Sequence, residues 1–310
     1  MNKVFTKILQ SLMLVLALVL LIGCEEKKPI EKIKVMLPSG TPLLAIGNLL
    51  DDEMFEFDVV DGQDPLMAGF TEGNYDLIIA PINLGAKLYL AGKSVYKLKA
   101  AITTNNTYLA SKNEITSLQD VQNKKILAFG NGSAPSLALQ ASLKINNITS
   151  EVEYRSSAAD VTLEYTSSNT DFDYFLLAEP NITTIANKTK KEINKIALID
   201  YLKDEIEVLV QACLFVNSSK EISEEVFKKI ENNIKSMNEN PKDYASSVES
   251  KKEFFTKLTK EVIEKAIPNC NITYLNAKDN EKVFVDFYEF LNKYQPKVLN
   301  GKAPEKDFLY

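Results

Sequence analysis

The feature that most constrains the fold is a regular alternation of short apolar runs with longer segments of helical pattern. The apolar runs have the length and composition of buried strands, beginning with KIKVML at residues 32–37. Strands separated by helices favour an α/β fold whose sheets are mainly parallel. The predicted strands are 32–37, 57–60, 76–80, 98–103, 125–129, 152–155, 174–177, 196–199 and 208–216; the predicted helices are 42–50, one opening at Asp64 and Pro65, 84–91, 133–144, 223–240, 251–266 and 277–294.

The alternating pattern restarts near residue 107, and this restart divides the chain into two predicted lobes. The last predicted strand, VLVQACLFV at 208–216, is long enough to return from one lobe to the other. We therefore predict that the first lobe combines residues 31–108 with 214–310 and that the second lobe is 112–207. The crossing segments 109–111 and 208–213 would form a two-segment hinge.

The N-terminus has the features of an export signal. Lys3 and Lys7 precede an unbroken apolar run from Leu12 to Ile22, which is too short to span a bilayer as a stable helix. The run closes on Leu-Ile-Gly-Cys, and this tetrapeptide, ending at Cys24, resembles the lipobox of bacterial lipoproteins. The resemblance implies that residues 1–23 are removed and that Cys24 carries acyl chains such as palmitate. An ordinary cleaved signal with a chance cysteine is the alternative.

Charged residues follow the cysteine at once, in the sequence EEKKP. Such a segment is typical of a solvated tether, here residues 24–30, between a lipid anchor and a folded body. We therefore expect a protein anchored by lipid to the cell membrane and facing the exterior or the periplasm.

Histidine is absent from all 310 residues, and its absence excludes several kinds of catalytic site. Ser-His-Asp and Cys-His catalysis, histidine proton shuttles and histidine-rich metal sites all require it. The formal net charge of −6 makes nucleic acid a poor partner. We expect no enzymatic activity, no metal and no cofactor. Beyond the leader there are two cysteines, Cys213 and Cys270, and the sequence leaves open whether they form a disulfide.

Several segments resemble the nitrate, sulfonate and taurine type of solute-binding protein that serves ATP-binding-cassette importers. The likeness covers nearly the whole mature chain, and it rests on the order and spacing of the motifs. These are YDLIIAPINLGAKLY at 75–89, NTYLAS at 106–111, LQDVQNKKI at 118–126, GNGSAP at 130–135 and AEP at 178–180, and the segment 267–310 has a similar look.

The resemblance implies a two-lobed type II periplasmic-binding-protein fold that holds a small organic or anionic solute between the lobes. It implies a monomeric receptor that delivers this solute to a cognate permease and ATPase. The chain departs from the family pattern because it has no tryptophan and Arg155 is its single arginine, which argues against a cleft built on several cations. The alternatives are a surface lipoprotein acting as a sensor or adhesin, and an enzyme on the same fold, such as a pyrimidine-precursor synthase, whose chemistry would require histidine.

Three loops are the main candidates for solute contact in such a cleft. In this fold ligands lie at the carboxyl ends of parallel strands, where the first amides of the following helices lack partners and carry a partial positive field. A plain turn and helix cap is the alternative for each loop. The candidates are Ser39, Gly40 and Thr41 after the first strand, Asn83 after the third, and Gly132, Ser133 and Ala134 after the first strand of the second lobe.

Four further residues are weaker candidates. Glu179 ends a strand of the second lobe and could accept a hydrogen bond from the solute or from the facing lobe. Thr104 and Tyr108 lie near the predicted hinge and could line the cleft. Arg155 could bind a carboxylate or sulfonate with two hydrogen bonds, although a surface ion pair is the commoner arrangement.

Overall fold

The computed structural model of the protein describes residues 32–256 and 258–310. The predicted signal 1–23 and the whole predicted tether 24–30, including Cys24, therefore lie outside the described residues. Within the described ranges no helix combines the length and apolar character that a membrane span requires.

The first sheet has six strands in the spatial order β11-β4-β10-β3-β1-β2. β1 lies between β2 and β3 and is parallel to both, whereas β10 is antiparallel to both of its neighbours, β3 and β4, and β11 is antiparallel to β4. The strands are β1 Ile33–Pro38, β2 Phe55–Val60, β3 Leu77–Pro81, β4 Tyr96–Thr103, β10 Ala212–Asn217 and β11 Ile272–Asn276.

The second sheet has five strands in the spatial order β7-β6-β8-β5-β9. β6 is parallel to β7 and β8, whereas β5 is antiparallel to β8 and β9. The strands are β5 Tyr108–Ser111, β6 Lys125–Phe129, β7 Glu151–Arg155, β8 Tyr174–Leu177 and β9 Asn194–Ala197.

Helices flank both sheets. α4, α5 and α6 lie in the stretch of chain that forms the second sheet, and the C-terminal α10 packs against α4. The helices are α1 Thr41–Ala45, α2 Gln63–Glu72, α3 Ile82–Leu90, α4 Ala134–Ile145, α5 Ala158–Thr166, α6 Asn181–Thr189, α7 Glu224–Glu239, α8 Pro241–Val248, α9 Lys260–Ala266 and α10 Glu281–Tyr294, with single 3₁₀ turns at Gly47–Asp51, Leu118–Val121, Leu198–Tyr201, Ile267–Asn269 and Lys306–Phe308.

The predicted two-lobed α/β fold is confirmed, with the difference that both sheets are mixed. The chain passes between the sheets twice, through residues 104–107 and again between β9 and β10. β5 and β10 are the first strands that the chain forms after each crossing, and each starts at the sheet edge that faces the other sheet. The parallel strands β1, β3, β6 and β8 end at these same edges. β5 and β10 therefore run antiparallel to their neighbours β8 and β3. That the two connections bend as a hinge stays a prediction.

Several element predictions differ from the structure. The helix predicted for 42–50 ends at Ala45 and is followed by the 3₁₀ turn Gly47–Asp51, and the strand predicted for 208–216 begins only at Ala212. The helix predicted for 251–266 begins only at Lys260, because Thr259 caps it by accepting a hydrogen bond from the amide of Val262 at 3.3 Å. The Lys251 ammonium instead donates to the carbonyl oxygen of Gly47 at 3.0 Å, which holds the preceding turn against the 3₁₀ helix there. The helix predicted for 277–294 starts at Glu281, and strand β11 was not predicted because its five residues lie between helical patterns.

The core of the first lobe is built around β10. Residues Ala212–Asn217 are all buried, because β3 and β4 cover both edges of the strand and helices cover its faces. The apolar face predicted for the last helix is confirmed: Phe284, Phe287 and Leu291 of α10 are buried in the core. Gly85 of α3 packs on Phe215, and a β-carbon at this position would overlap the phenylalanine ring.

We predict that Gly85→Ala lowers the free energy of unfolding by about 1–3 kcal/mol, because the buried ring cannot move away from the added methyl group. Urea unfolding measures this change. Gly69→Ala is the matched control, since Gly69 is also helical but its β-carbon would meet the flexible thioether of Met36, with the sulfur at 2.7 Å. The control should stay within about 1 kcal/mol of the parent protein; equal losses in the two variants would contradict the packing argument.

Candidate functional site

The candidate site lies where the strand ends of the two sheets face each other. In the first sheet, β1, β2, β3 and β4 all end at this edge and β10 begins there. In the second sheet, β6, β7 and β8 end at the facing edge and β5 begins there. We call the space between the two edges the interlobe gap. Loops from both sheets meet across it, and four of the predicted site residues belong to these meeting loops: Thr41, Asn83, Gly132 and Glu179.

Asn83 joins the first lobe to the second. It lies in the first turn of α3, and its side-chain Nδ2 donates to the carbonyl oxygen of Gly132 across the gap at 2.7 Å. Because a carbonyl can only accept, the atom facing it must be the amide nitrogen, and Oδ1 is then fixed as the other atom. Asn83 is 7% exposed, and its Oδ1 is buried without a partner among the described residues.

Ser133 stands next to this contact, at the start of α4. Gly130 and Gly132 have φ angles of +60° and +78°, so the loop before the helix turns in the left-handed region that favours glycine. The turn is closed by the amide of Ser133, which donates to the carbonyl oxygen of Gly130 at 2.7 Å. The Ser133 hydroxyl does not cap its own helix. The residue is 7% exposed, and its Oγ, like Asn83 Oδ1, is buried without a partner in the described part of the chain.

A second contact across the gap is centred on the backbone of Glu179. Its carbonyl oxygen accepts from Thr41 Oγ1 at 2.7 Å and from Asn106 Nδ2 at 3.0 Å. Its amide donates to Asn106 Oδ1 at 2.8 Å. Asn106 therefore holds both backbone groups of Glu179 while also reaching Thr41 Oγ1 at 3.2 Å.

Gln211 supports Asn106 from the returning chain. Gln211 Oε1 accepts from the amide of Asn106 at 2.7 Å, and Gln211 Nε2 donates to Thr107 Oγ1 at 2.7 Å. Both Asn106 and Gln211 are buried. Sequence patterns predicted no role for either residue, although a polar side chain next to a buried strand at each crossing is a signal that could have identified them.

The Glu179 side chain is buried within the second lobe. Its Oε2 accepts from the amide of Thr183 at 2.9 Å, and its Oε1 pairs with Lys195 Nζ at 3.2 Å. The same ammonium lies 4.5 Å from the ring centre of Tyr108. Burial, and after it the charge of Glu179, raises the pKa of Tyr108, whose hydroxyl donates to the carbonyl oxygen of Asn269 at 3.3 Å. These contacts give Glu179 and Tyr108 structural partners at the rim of the gap.

The remaining predicted site residues lie near the gap but make none of the hydrogen bonds across it described above. Ser39 is exposed, and its hydroxyl donates to Asp61 Oδ1 at 2.7 Å, while the neighbouring Gly40 has open space where a side chain would be. Thr104 pairs with Val210 as an isolated bridge between the two crossings. Ala134 is buried as the first residue of α4.

Arg155 lies beside a carboxylate, and the two cysteines of the described residues form no disulfide. The Arg155 guanidinium lies 3.8 Å from a carboxylate oxygen of Glu153 and 5.8 Å from the ring centre of Phe172. Cys213 and Cys270 are both free and buried, and burial raises the pKa of each thiol. Within residues 32–256 and 258–310, no cluster of three or more cysteine or carboxylate side chains could hold a metal ion.

Comparison with solved structures identifies the fold. An ABC transporter structure from Parabacteroides distasonis is 21% identical, with a TM-score of 0.73 over 90% of this chain and 98% of that one. The alkanesulfonate-binding protein SsuA from Xanthomonas axonopodis pv. citri, bound to MOPS, is 11% identical, with a TM-score of 0.62 over 90% and 99% of the two chains. The periplasmic aliphatic sulphonate binding protein SsuA from Escherichia coli is 10% identical, with a TM-score of 0.61 over 89% and 93%.

At these identities the comparisons establish the fold, which is the two-lobed fold of periplasmic binding proteins. No family model matches the sequence, and no curated protein matches it significantly.

We predict that Asn106→Ala lowers the free energy of unfolding by about 1–3 kcal/mol, because the buried amide of Glu179 loses its acceptor. The measurement is urea unfolding of the variant and its parent. Asn113→Ala is the control, since Asn113 Nδ2 makes one long, exposed hydrogen bond of 3.4 Å to Asp173, and its loss should change stability by no more than about 0.5 kcal/mol. If Asn106→Ala lowers the free energy of unfolding no more than Asn113→Ala does, the stability of the crossing does not depend on the Asn106 side chain.

Proposed function

We propose that the protein is the solute-binding receptor of an ABC-type importer. The observation that carries this proposal is the contact between Asn83 and the Gly132–Ser133 loop, where two buried polar atoms from facing lobes have no partner among residues 32–256 and 258–310. Ser133 precedes a twelve-residue helix, whose first amides lack partners within the helix and create a positive local field, and Asn83 lies in the first turn of a nine-residue helix. The related folds of ABC transporter and sulfonate-binding proteins support the same role.

The proposed mechanism is closure of the two lobes on a small organic or anionic solute. A solute that contacts Asn83 from one lobe and Ser133 from the other favours the closed arrangement, because only that arrangement provides both contacts. Ser39, Gly40, Gly132 and Ala134 would line the same gap, with Thr41, Thr104, Tyr108 and Glu179 at its rim. No bond is made or broken in this cycle, which is consistent with a chain that lacks histidine.

We further propose that the receptor is a monomer held at the membrane by acyl chains on Cys24, facing the exterior or the periplasm. Two or more acyl chains anchor a protein stably, since each buried methylene contributes about 0.8 kcal/mol. The tether would keep the receptor close to its permease and ATPase, and so raise its effective concentration there.

We predict that a cognate solute stabilises the full-length protein, purified in detergent, against thermal unfolding. At a hundredfold excess over Kd the stabilisation should reach about 2.7 kcal/mol, which a thermal-shift screen detects. The screen should cover nitrate, sulfate, sulfonates, amines, amides and hydroxylated heterocycles. If none of these classes raises the unfolding temperature, the receptor proposal is contradicted.

Ser133→Ala should weaken the binding of that solute about two- to tenfold, because one hydrogen bond is lost. Ser142→Ala is the matched control: Ser142 is a buried hydroxyl on the same helix, but it donates to the carbonyl oxygen of Ala138 at 2.9 Å, within the helix. Equal affinities of the two variants would remove Ser133 from the proposed site.

We predict that Cys24 is the acylated residue. In bacteria producing the full chain, metabolic labelling with palmitate should mark the protein, and the membrane fraction should retain it. Cys24→Ser should abolish the label, whereas Cys270→Ala, which changes a buried thiol of the folded body, should keep it. Label that persists in Cys24→Ser would contradict the anchor.

A further inference from the structure

The unpartnered atoms at the gap differ in what they can bind. Asn83 Oδ1 can only accept a hydrogen bond, and its orientation is fixed by the 2.7 Å bond from Nδ2 to Gly132. The Ser133 hydroxyl, beside Gly132, can donate or accept. An inorganic anion or a sulfonate group presents acceptors only, so it would leave Asn83 Oδ1 buried without a donor.

The charges around the gap also disfavour an anion. Two cations of the second sheet, Lys195 on β9 and Arg155 at the end of β7, both lie beside carboxylates, at 3.2 Å from Glu179 and 3.8 Å from Glu153. The carboxylate of Asp61 stands at the mouth of the gap, where it accepts from Ser39 at 2.7 Å. A full negative charge in the gap would therefore compete with carboxylates for Lys195 and Arg155 and would be repelled by Asp61.

The start of α4 favours a solute group that accepts hydrogen bonds, whereas Asn83 Oδ1 favours a group that donates one. Two amides in the first turn of α4, those of Ala134 and Ser136, have no partner within the helix, since Pro135 has no N–H, and the Ser133 hydroxyl does not cap them. A neutral carbonyl oxygen satisfies such amides without bringing a charge into the gap. The gap thus offers a fixed acceptor on one lobe and donors on the other.

We infer that the solute is uncharged and carries a hydrogen-bond donor and a carbonyl acceptor on neighbouring groups, as in a carboxamide, lactam or urea. This inference rests on the proposed function, because it assigns the chemistry of the same site. Its geometric basis is that Asn83 of the first lobe, with its unpartnered Oδ1, faces the Gly132–Ser133 loop of the second lobe, where Ser133 Oγ also lacks a partner among the described residues.

The first test varies the probe. The full-length protein is titrated with butyramide, 2-piperidone, benzamide and propylurea, with their fully N-methylated forms, and with butanesulfonate, benzenesulfonate, sulfate and nitrate. At least one parent amide or urea should bind, and N-methylation, which removes the donor and keeps the carbonyl, should weaken it about 10- to 100-fold. The sulfonates and inorganic anions should not compete.

The outcomes separate the two proposals. Tighter binding of a sulfonate, sulfate or nitrate overturns the inference about solute class and leaves solute capture intact. Equal affinity for parent and N-methylated probes also overturns the inference. No binding in any series counts against both the inference and the proposed function.

The second test varies the protein and compares Asn83→Asp with Asn83→Leu. Both substitutions remove the hydrogen bond to Gly132, but only aspartate keeps an acceptor oxygen. An amide or urea should bind Asn83→Asp at least about tenfold more tightly than Asn83→Leu. An anionic solute should show the reverse order, because the aspartate repels it, and that order would overturn the inference even if both variants are less stable than the parent.

Discussion

The structure depends on how two buried crossings of the chain satisfy their backbone groups. Both crossings pass between the sheets at the same edge, where neither sheet can supply regular ladder hydrogen bonds. Asn106 and Gln211 supply partners instead. The Asn106 side chain hydrogen-bonds to both the amide and the carbonyl oxygen of Glu179, and the Gln211 side chain accepts a hydrogen bond from the amide of Asn106. Without such partners, buried backbone amides would cost several kcal/mol. The polar side chains at the crossings therefore allow both connections between the sheets to lie at the same edge of each sheet.

This arrangement has a direct effect on the gap. Because the crossings lie at one rim, the carboxyl ends of the parallel strands in both sheets face each other, and the helices that follow begin there. The contacts across the gap are made by side-chain amides, hydroxyls and backbone groups, and the Lys195 ammonium is paired with the buried carboxylate of Glu179. Under the proposed function, selectivity in this gap would come from the direction of hydrogen bonds rather than from net charge.

Sequence patterns predicted most of the fold, because strand and helix periods report which faces are buried. They also predicted that Asn83 and the Gly132–Ser133 loop follow strands, and the structure brings these two together across the gap. Patterns could not show that Asn106 would bridge the lobes, since its partners are 65 and 73 residues away. Nor could they show that Ser39 would be exposed beside Asp61, because that pairing depends on how two neighbouring loops turn.

The position of β10 bears on the order in which the chain can fold. β10 lies between β3 and β4 in the first sheet, yet more than a hundred residues separate it from β4, and they include the entire second sheet. The second sheet is contiguous in sequence, so all its strands are present as soon as β9 has been made. The first sheet keeps an unfilled central place until residue 217 arrives, with the facing edges of β3 and β4 able to pair with other chains in the meantime. The first lobe therefore begins earlier in the chain than the second lobe, but its sheet is completed later.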